Sequence, residues 1–207
     1  MSTRHLDVGC GLVPRNPFGQ AELFAVDLVI PAGVDTDRFR RANLALEAIP
    51  FPDSTFDSVS AFDFLEHIPR VLGTREGRAT RFPFIELMDE FHRVLKPGGR
   101  LYALTPAFPR PEAFVDPTHV NPIALGTARY FCEPAVAARA YGFRGGFKLI
   151  RNEWALFPEA FSAAPVTGWR RRFTRWRRIL QGHVSHLVWE LECLKPAAAH
   201  DTPRPPQ

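Results

Sequence analysis

The sequence predicts an α/β fold whose mostly parallel sheet ends in an antiparallel hairpin, and three observations carry that reading. Apolar strand-like segments alternate with helix-like ones through the first half, as expected of parallel strands covered by helices. The first strand-like segment runs into Gly9-Cys10-Gly11, and the second ends at Asp27, roughly 20 residues further on, the spacing of a nucleotide-type crevice. Near the C-terminus, Trp189, Leu191 and Cys193 alternate with Glu190 and Glu192, which is the period of a half-buried strand.

His5 to Val8 begins the sheet, and Leu23 to Leu28 is its second strand, with room between them for only a short, proline-interrupted helix. Phe56 to Phe62 is entered through the Pro50-Phe51-Pro52-Asp53 turn. Leu87, Phe91, Val94 and Leu95 give Phe84 to Leu95 helical spacing, and Lys96-Pro97-Gly98-Gly99 stops that helix. Arg100 to Thr105 makes the next strand. A proline-rich loop follows from Pro106 to Pro122, long enough to be a functional element. Thr127 to Tyr141 reads as a helix ended by Gly142.

Phe147 to Trp154 and the segment around Trp189 to Cys193 form the edge hairpin, which also offers a route to homodimers. Between them, residues 156–186 read as a helical insertion, with Trp169, Phe173, Trp176, Leu180 and Leu187 at helical intervals and an interruption near Gly182. Residues 1–195 make one domain, and the proline-rich stretch 196–207 reads as a disordered tail.

The bulk numbers bound the function. The chain has 207 residues, 45% hydrophobic and 23% charged, which suits one globular domain and excludes an intrinsically disordered chain. No apolar run approaches the roughly 20 residues of a membrane span, so no integral membrane segment is expected. Asp7 interrupts the first apolar segment, against a secretory signal. Three scattered cysteines, Cys10, Cys132 and Cys193, show no CxxC spacing. Free thiols in a reducing cytoplasm are expected, with no metal site. The formal charge is +4, but Arg170, Arg171, Arg172, Arg175, Arg177 and Arg178 lie in one short stretch, so the basicity is local.

No P-loop and no nucleophile elbow appears, which disfavours nucleotide hydrolysis and serine esterase chemistry. By itself, Asp7-Val8-Gly9-Cys10-Gly11 is either an ordinary glycine turn or a ligand-binding one. Its context is a series of segments in order: His5 to Gly11, Ala25 to Leu28, Ile49-Pro-Phe-Pro-Asp-Ser-Thr-Phe-Asp57, Leu65-Glu-His-Ile68 and Phe91-His-Arg-Val-Leu-Lys-Pro-Gly-Gly-Arg100. Together, from Arg4 to about Pro106, they resemble a class I S-adenosylmethionine-dependent methyltransferase of the broad UbiE/type 11 group.

That resemblance implies a Rossmann-like, seven-stranded sheet with helices on both faces and S-adenosyl-L-methionine as cofactor. It implies that Gly9, Cys10 and Gly11 lie beside the amino-acid part of the cofactor, that Asp7 orients the glycine loop or the cofactor's ammonium group, that Asp27 holds the ribose and that Leu28 flanks the adenine. Asn43 or Leu44 falls where the family contacts the adenine edge, although the usual acidic residue is not obvious there. Phe62 and Asp63 border the methionine end. Cys10 is expected to be a small packing residue and not a nucleophile. Two departures are plain: Val13 replaces a third glycine, and the chain starts almost at its first strand, without the helix that commonly precedes it.

Methyl transfer needs alignment and exclusion of water more than elaborate protein chemistry, and needs a base only where the acceptor must lose a proton. His119, in Asp116-Pro-Thr-His119 after the fourth predicted strand, is one candidate, the other reading being a ring that hydrogen-bonds the backbone to fix an Asp-Pro turn. His67 is the second candidate. For Glu66-His67 the competing reading is capping of the next helix. The Arg170–Arg178 helix either meets an anionic surface or ligand, or is a solvated face above a buried aromatic stripe. The expected activity is methyl transfer to a small-molecule acceptor such as a sugar, a lipid-linked or a secondary-metabolite substrate. The alternatives are an inactive scaffold and a nucleic-acid methyltransferase.

Overall fold

Strands buried on both faces commonly read as near-continuous apolar runs, and residues 101–104 do so, whereas 5–8 and 56–62 interleave buried polar residues with apolar ones. The computed structural model describes residues 2–30, 34–74, 77, 79–164 and 168–195. One sheet contains seven strands: β1 (Arg4–Val8), β2 (Glu22–Asp27), β3 (Phe39–Arg41), β4 (Phe56–Phe62), β5 (Leu95–Pro106), β6 (Phe147–Trp154) and β7 (His186–Cys193). Their order is β3-β2-β1-β4-β5-β7-β6. The pairs from β3 through β5 are parallel, and β7 runs antiparallel to both β5 and β6. The chain therefore winds outward from β1 in one direction and then resumes at β4 on its other side. The switch point lies between β1 and β4, where open α/β sheets bind ligands beyond the carboxyl ends of their strands.

On one face, α1 (Pro83–Val94) lays Phe84, Leu87, Met88, Phe91 and Val94 into the main core. Pro83 sits at the first turn, where its missing N–H costs nothing, and Leu95 leaves the helix in extended geometry. Each of these buried side chains contributes on the order of 2 kcal/mol through removal of apolar surface from water. Arg93 on the same helix bonds Glu90, Asp53 and the carbonyls of Ile49 and Phe51, so it clamps the loop that leads into β4. The second face is thinner: Phe62, Tyr102, Leu104 and Val188 are covered by Phe18 and by residues around Ala155 and Ala160.

Several expected elements take other forms. Residues 9–21 make no helix, and Asn16 instead turns the chain by bonding Gln20 through both its amide groups. The predicted Thr127–Tyr141 helix is two 3₁₀ segments, Thr127–Phe131 and Ala137–Tyr141, because Pro134 lacks the N–H that a continuous helix needs. Glu66-His67 belongs to an isolated 3₁₀ turn, Leu65–His67, and opens no longer helix. β5 begins at Leu95, so the Lys96–Gly99 stop lies within a bulged strand start. The helix α2 (Trp169–Leu180) forms with no residue buried, so its aromatic stripe faces solvent. The proline-rich tail from 196 lies outside the described residues.

Candidate functional site

The glycine turn is dictated by crowding. Gly9 has φ +66°, and a Cβ on it would come within 2.2 Å of the Phe64 ring, so only glycine lets β1 end against the loop after β4. Gly11, at φ +57°, has open space where its Cβ would be. The turn is tied to β2 by the Gly9 N–H on the Val26 carbonyl (2.9 Å) and the Gly11 N–H on Asp27 Oδ2 (2.9 Å). Asp27 also accepts the Val29 N–H, so its carboxylate stands at the lip of the turn with lone pairs left over. Leu28 and Val29 are exposed beside it. Cys10 is half-buried, and burial pushes its thiol up to about 12, which removes it as a nucleophile.

Below the turn lies a polar ladder that the sequence reading did not pick out. His5 and Asp7 share one face of β1 and pair in register with Ser58 and Ser60 of β4. Ser60 Oγ donates to Asp7, so it must accept from His5 Nε2, leaving Nδ1 to accept from Ser58 (2.7 Å). Burial holds His5 neutral, with its pKa lowered to about 3, and lifts Asp7 to about 6 despite its bonds from Ser60 and the Arg15 N–H. Alternating polar residues in two otherwise apolar strands were the readable signal. Asp7 thus braces β1, β4 and the loop at Arg15.

At the end of β4, Phe62 is buried in the second core with the Arg15 guanidinium 4.8 Å from its ring centre. Asp63 has φ +48°, a conformation that costs a non-glycine residue on the order of 1 kcal/mol, and its Oδ1 lies 3.1 Å from His186 Nε2. Asn43 turns its own loop by accepting the Ala45 N–H, while Glu47 accepts the Asn43 N–H and is the acidic group of that segment. Leu44 is buried in the main core.

Across the mouth, the loop after β5 is pinned to the loop after β4. The Glu66 carbonyl accepts the N–H groups of Val120 and Asn121, Asn121 Nδ2 donates to Leu65 O (3.0 Å), and Arg70 Nε donates to Asn121 Oδ1 (2.6 Å). Asn121 and Arg70 were not singled out in the sequence. This pinning brings His67 and His119 together, their rings edge to face with centres 4.8 Å apart.

The Glu66 side chain is buried against β5, with Oε2 accepting from Thr105 Oγ (2.9 Å) and Oε1 without a partner. It caps no helix. Burial pushes its carboxyl up to about 7. The His119 ring does not fix the Asp-Pro turn: Nδ1 is buried without a partner, and Asp116 makes the turn itself by accepting from the Thr118 N–H and hydroxyl. Thr118 has one hydroxyl proton, directed to Asp116 at 2.6 Å, and its Oγ lies 3.0 Å from His67 Nδ1. The hydroxyl oxygen must then accept from His67 Nδ1–H, which leaves Nε2 with a free lone pair. Glu66, His67 and His119 also each offer a ligand atom within 4.8 Å of the others, a two-histidine, one-carboxylate set able to hold a divalent ion.

A cleft of about 520 Å³ is lined by Val71, Phe82, Ile85, Tyr130, Tyr141 and Arg70, and Arg70 also bonds Asn121 and the Pro122 carbonyl of the loop after β5.

Residues 6–103 match the family model described as a methyltransferase domain. Comparison with curated proteins gave no match. Among solved structures, the chain is similar to a Haloferax volcanii protein solved in complex with the Trm112 methyltransferase activator (13% identity, 95% of this chain and 84% of that chain, TM-score 0.56). It is also similar to a SAM-dependent methyltransferase from Archaeoglobus fulgidus (15%, 92% and 86%, 0.52) and to an S-adenosylmethionine-dependent methyltransferase from Mesorhizobium loti (16%, 92% and 91%, 0.52). At such identities these likenesses show the fold. The open space at Gly11 and a carboxylate at the lip of the switch point suit an adenosyl cofactor carrying an amino acid. With its methyltransferase domain matched over residues 6–103 and its strand order, the chain carries a methyltransferase domain on the class I Rossmann-like fold, with S-adenosylmethionine as its cofactor.

Proposed function

We propose that the enzyme methylates a small-molecule acceptor with a substantial apolar body, at an oxygen or nitrogen that loses its proton to His67. The observation that carries this reading is the Asp116–Thr118–His67 relay, which leaves His67 Nε2 with a free lone pair where the loops after β4 and β5 meet. In this assignment Gly9, Cys10 and Gly11 hold the amino-acid end of the cofactor, Asp27 its ribose, Leu28 and Asn43 the adenine surroundings, and Phe62 and Asp63 the methionine end. Leu44 shapes that segment from within the core. When bound, S-adenosylmethionine supplies a methyl carbon already activated by its sulfonium, which becomes S-adenosylhomocysteine as the methyl passes to the acceptor.

The protein's own part is proton handling and positioning. As the acceptor's bond to the methyl carbon forms, its proton passes to His67 Nε2. The resulting imidazolium is held through Thr118 by the Asp116 carboxylate, and then loses its proton to water. His119 flanks the same point, with Asp116 Oδ2 3.9 Å from its Nε2. Buried Glu66 keeps the floor polar and dry, and the aromatic cleft accepts the acceptor's apolar body, which favours lipid-linked or secondary-metabolite acceptors over a bare sugar.

Calorimetric titration with S-adenosylmethionine and S-adenosylhomocysteine, followed by an acceptor screen, tests this. Saturable binding of both, with turnover lost in His67→Ala while binding persists, is the expected result. Folded protein that binds neither would overturn it.

A further inference from the structure

We propose that α2 is an interfacial anchor that lies in the headgroup layer of an anionic phospholipid bilayer. The helix exposes Trp169 by 74%, Phe173 by 57%, Trp176 by 56% and Leu180 by 66%. Their spacing of four, three and four places all four within an arc of about 60° at 3.6 residues per turn. A stripe of that width facing outward is the reverse of what a helix packed on a domain presents.

The orientation is enforced from the other side. Arg171 pairs with Glu159 and Arg175 with Glu153 of β6, so the opposite arc is tethered to the domain and the aromatic stripe must point away. The C-terminal end is held by Arg110, whose Nη2 donates to the Ile179 carbonyl at 3.4 Å. Arg170, Arg172, Arg177 and Arg178 have no carboxylate partner among the described residues, and the helix carries no acidic residue. On the helical wheel Arg170 and Arg177 border the stripe on one side and Arg172 on the other.

This arrangement selects a bilayer. Long arginine stems reach from a headgroup-level helix to lipid phosphates while the aromatic and leucine side chains enter the acyl boundary. A nucleic acid would meet the guanidinium groups but leave the outermost arc, which is apolar, against phosphates or water. A second copy of the chain would bring four unpaired arginines against four more. Arg110, which holds the anchor, also belongs to the loop that exposes Phe108, Phe114 and Val115 before reaching Asp116 and His119. The domain would thereby face the membrane with its acceptor loop.

The test is co-sedimentation of the full chain with vesicles of phosphatidylcholine alone and of equal parts phosphatidylcholine and phosphatidylglycerol, with a blue shift of tryptophan emission as second readout. Partition at least roughly tenfold higher onto the anionic vesicles, reduced by added salt, is expected. Trp169→Ser/Trp176→Ser should abolish the partition and leave S-adenosylmethionine affinity unchanged, and Arg170→Glu/Arg177→Glu should do the same. Absence of binding to anionic vesicles at low salt would overturn the proposal, as would undiminished binding by the serine variant. Salt-sensitive binding to RNA or DNA without vesicle binding would also overturn it, assigning the arginines to nucleic acid instead.

Discussion

Thr118 Oγ lies 3.0 Å from Nδ1 of His67, although the two residues are 51 positions apart in the chain. Because the single Thr118 proton is committed to Asp116, this contact fixes the histidine tautomer, and in the proposed mechanism Thr118 is a positioning residue for proton acceptance by His67. Thr118→Val should reduce kcat by roughly tenfold and leave cofactor affinity unchanged, while Thr118→Ser, which keeps the hydroxyl, should restore turnover. His67→Ala should cost roughly a hundredfold or more, the range of a positioned general base. Full turnover by Thr118→Val in steady-state assays would remove the relay from the mechanism.

Asp27 offers the next test. Asp27→Ala removes both the carboxylate that would hold the ribose and the acceptor of the Gly11 N–H, so S-adenosylmethionine binding should weaken by about 1 to 3 kcal/mol. Calorimetry on a variant with an unaltered circular dichroism spectrum measures this, and unchanged affinity would contradict the assignment.

The crowding at Gly9 makes a structural prediction. Gly9→Ala places a Cβ at positive φ within 2.2 Å of the Phe64 ring, and should cost at least about 2 kcal/mol of stability as well as cofactor binding. Gly9→Ala/Phe64→Ala should recover part of the stability in urea denaturation, since the clash is removed while the φ strain remains.

Glu66 sets a dependence of stability on pH. Its folded carboxyl is raised to about 7 from the ordinary 4.5, so between those values the folded state holds a proton that the unfolded state has released. Its contribution is therefore fully present below about pH 4.5 and is lost as pH rises to about 7. His5 acts in the opposite sense, because its folded pKa near 3 makes the folded state lose stability as pH falls from 6.5. Glu66→Gln cannot ionise, so relative to the wild type it should gain on the order of 2 kcal/mol between pH 5 and pH 8. Urea midpoints at those two values read it directly, and a constant difference between the proteins would disprove the assignment.

Proton acceptance by His67 and metal coordination by Glu66, His67 and His119 would compete for the His67 imidazole, and a chelator separates them. Dialysis against EDTA should leave methyl transfer unchanged. Loss of turnover restored by a divalent ion would give the cluster to a metal.

Much of the scaffold was legible because it is written in local pattern. Short segments rich in apolar residues read as strands, a turn at positive φ selects glycine, and a carboxylate at the end of the second strand stands out in an apolar segment; Gly9, Gly11 and Asp27 follow from those rules. Helix α1 was readable from the spacing of Leu87, Phe91 and Val94 for the same reason. The elements that differ are those where local preference was weak. The loop from Gly11 to Glu22 is held by Asn16 and by the bond from the Arg15 N–H to Asp7, and Pro134 divides the segment after β5.

The sequence by itself determined the strand order's raw material, the glycine cradle and the presence of an amphipathic helix, because each depends on residues close together in the chain. Only the tertiary structure decided which residues meet at the mouth and which way that helix faces. The union of His67 with Thr118, and the burial of Glu66 on Thr105, depend on two loops brought together at the carboxyl edge of β4 and β5. The outward turn of Trp169, Phe173 and Trp176 depends on two carboxylates, Glu153 and Glu159, that pull the arginine arc inward. Periodicity reports that a helix has two faces, and only the charges packed against it settle which one the domain keeps.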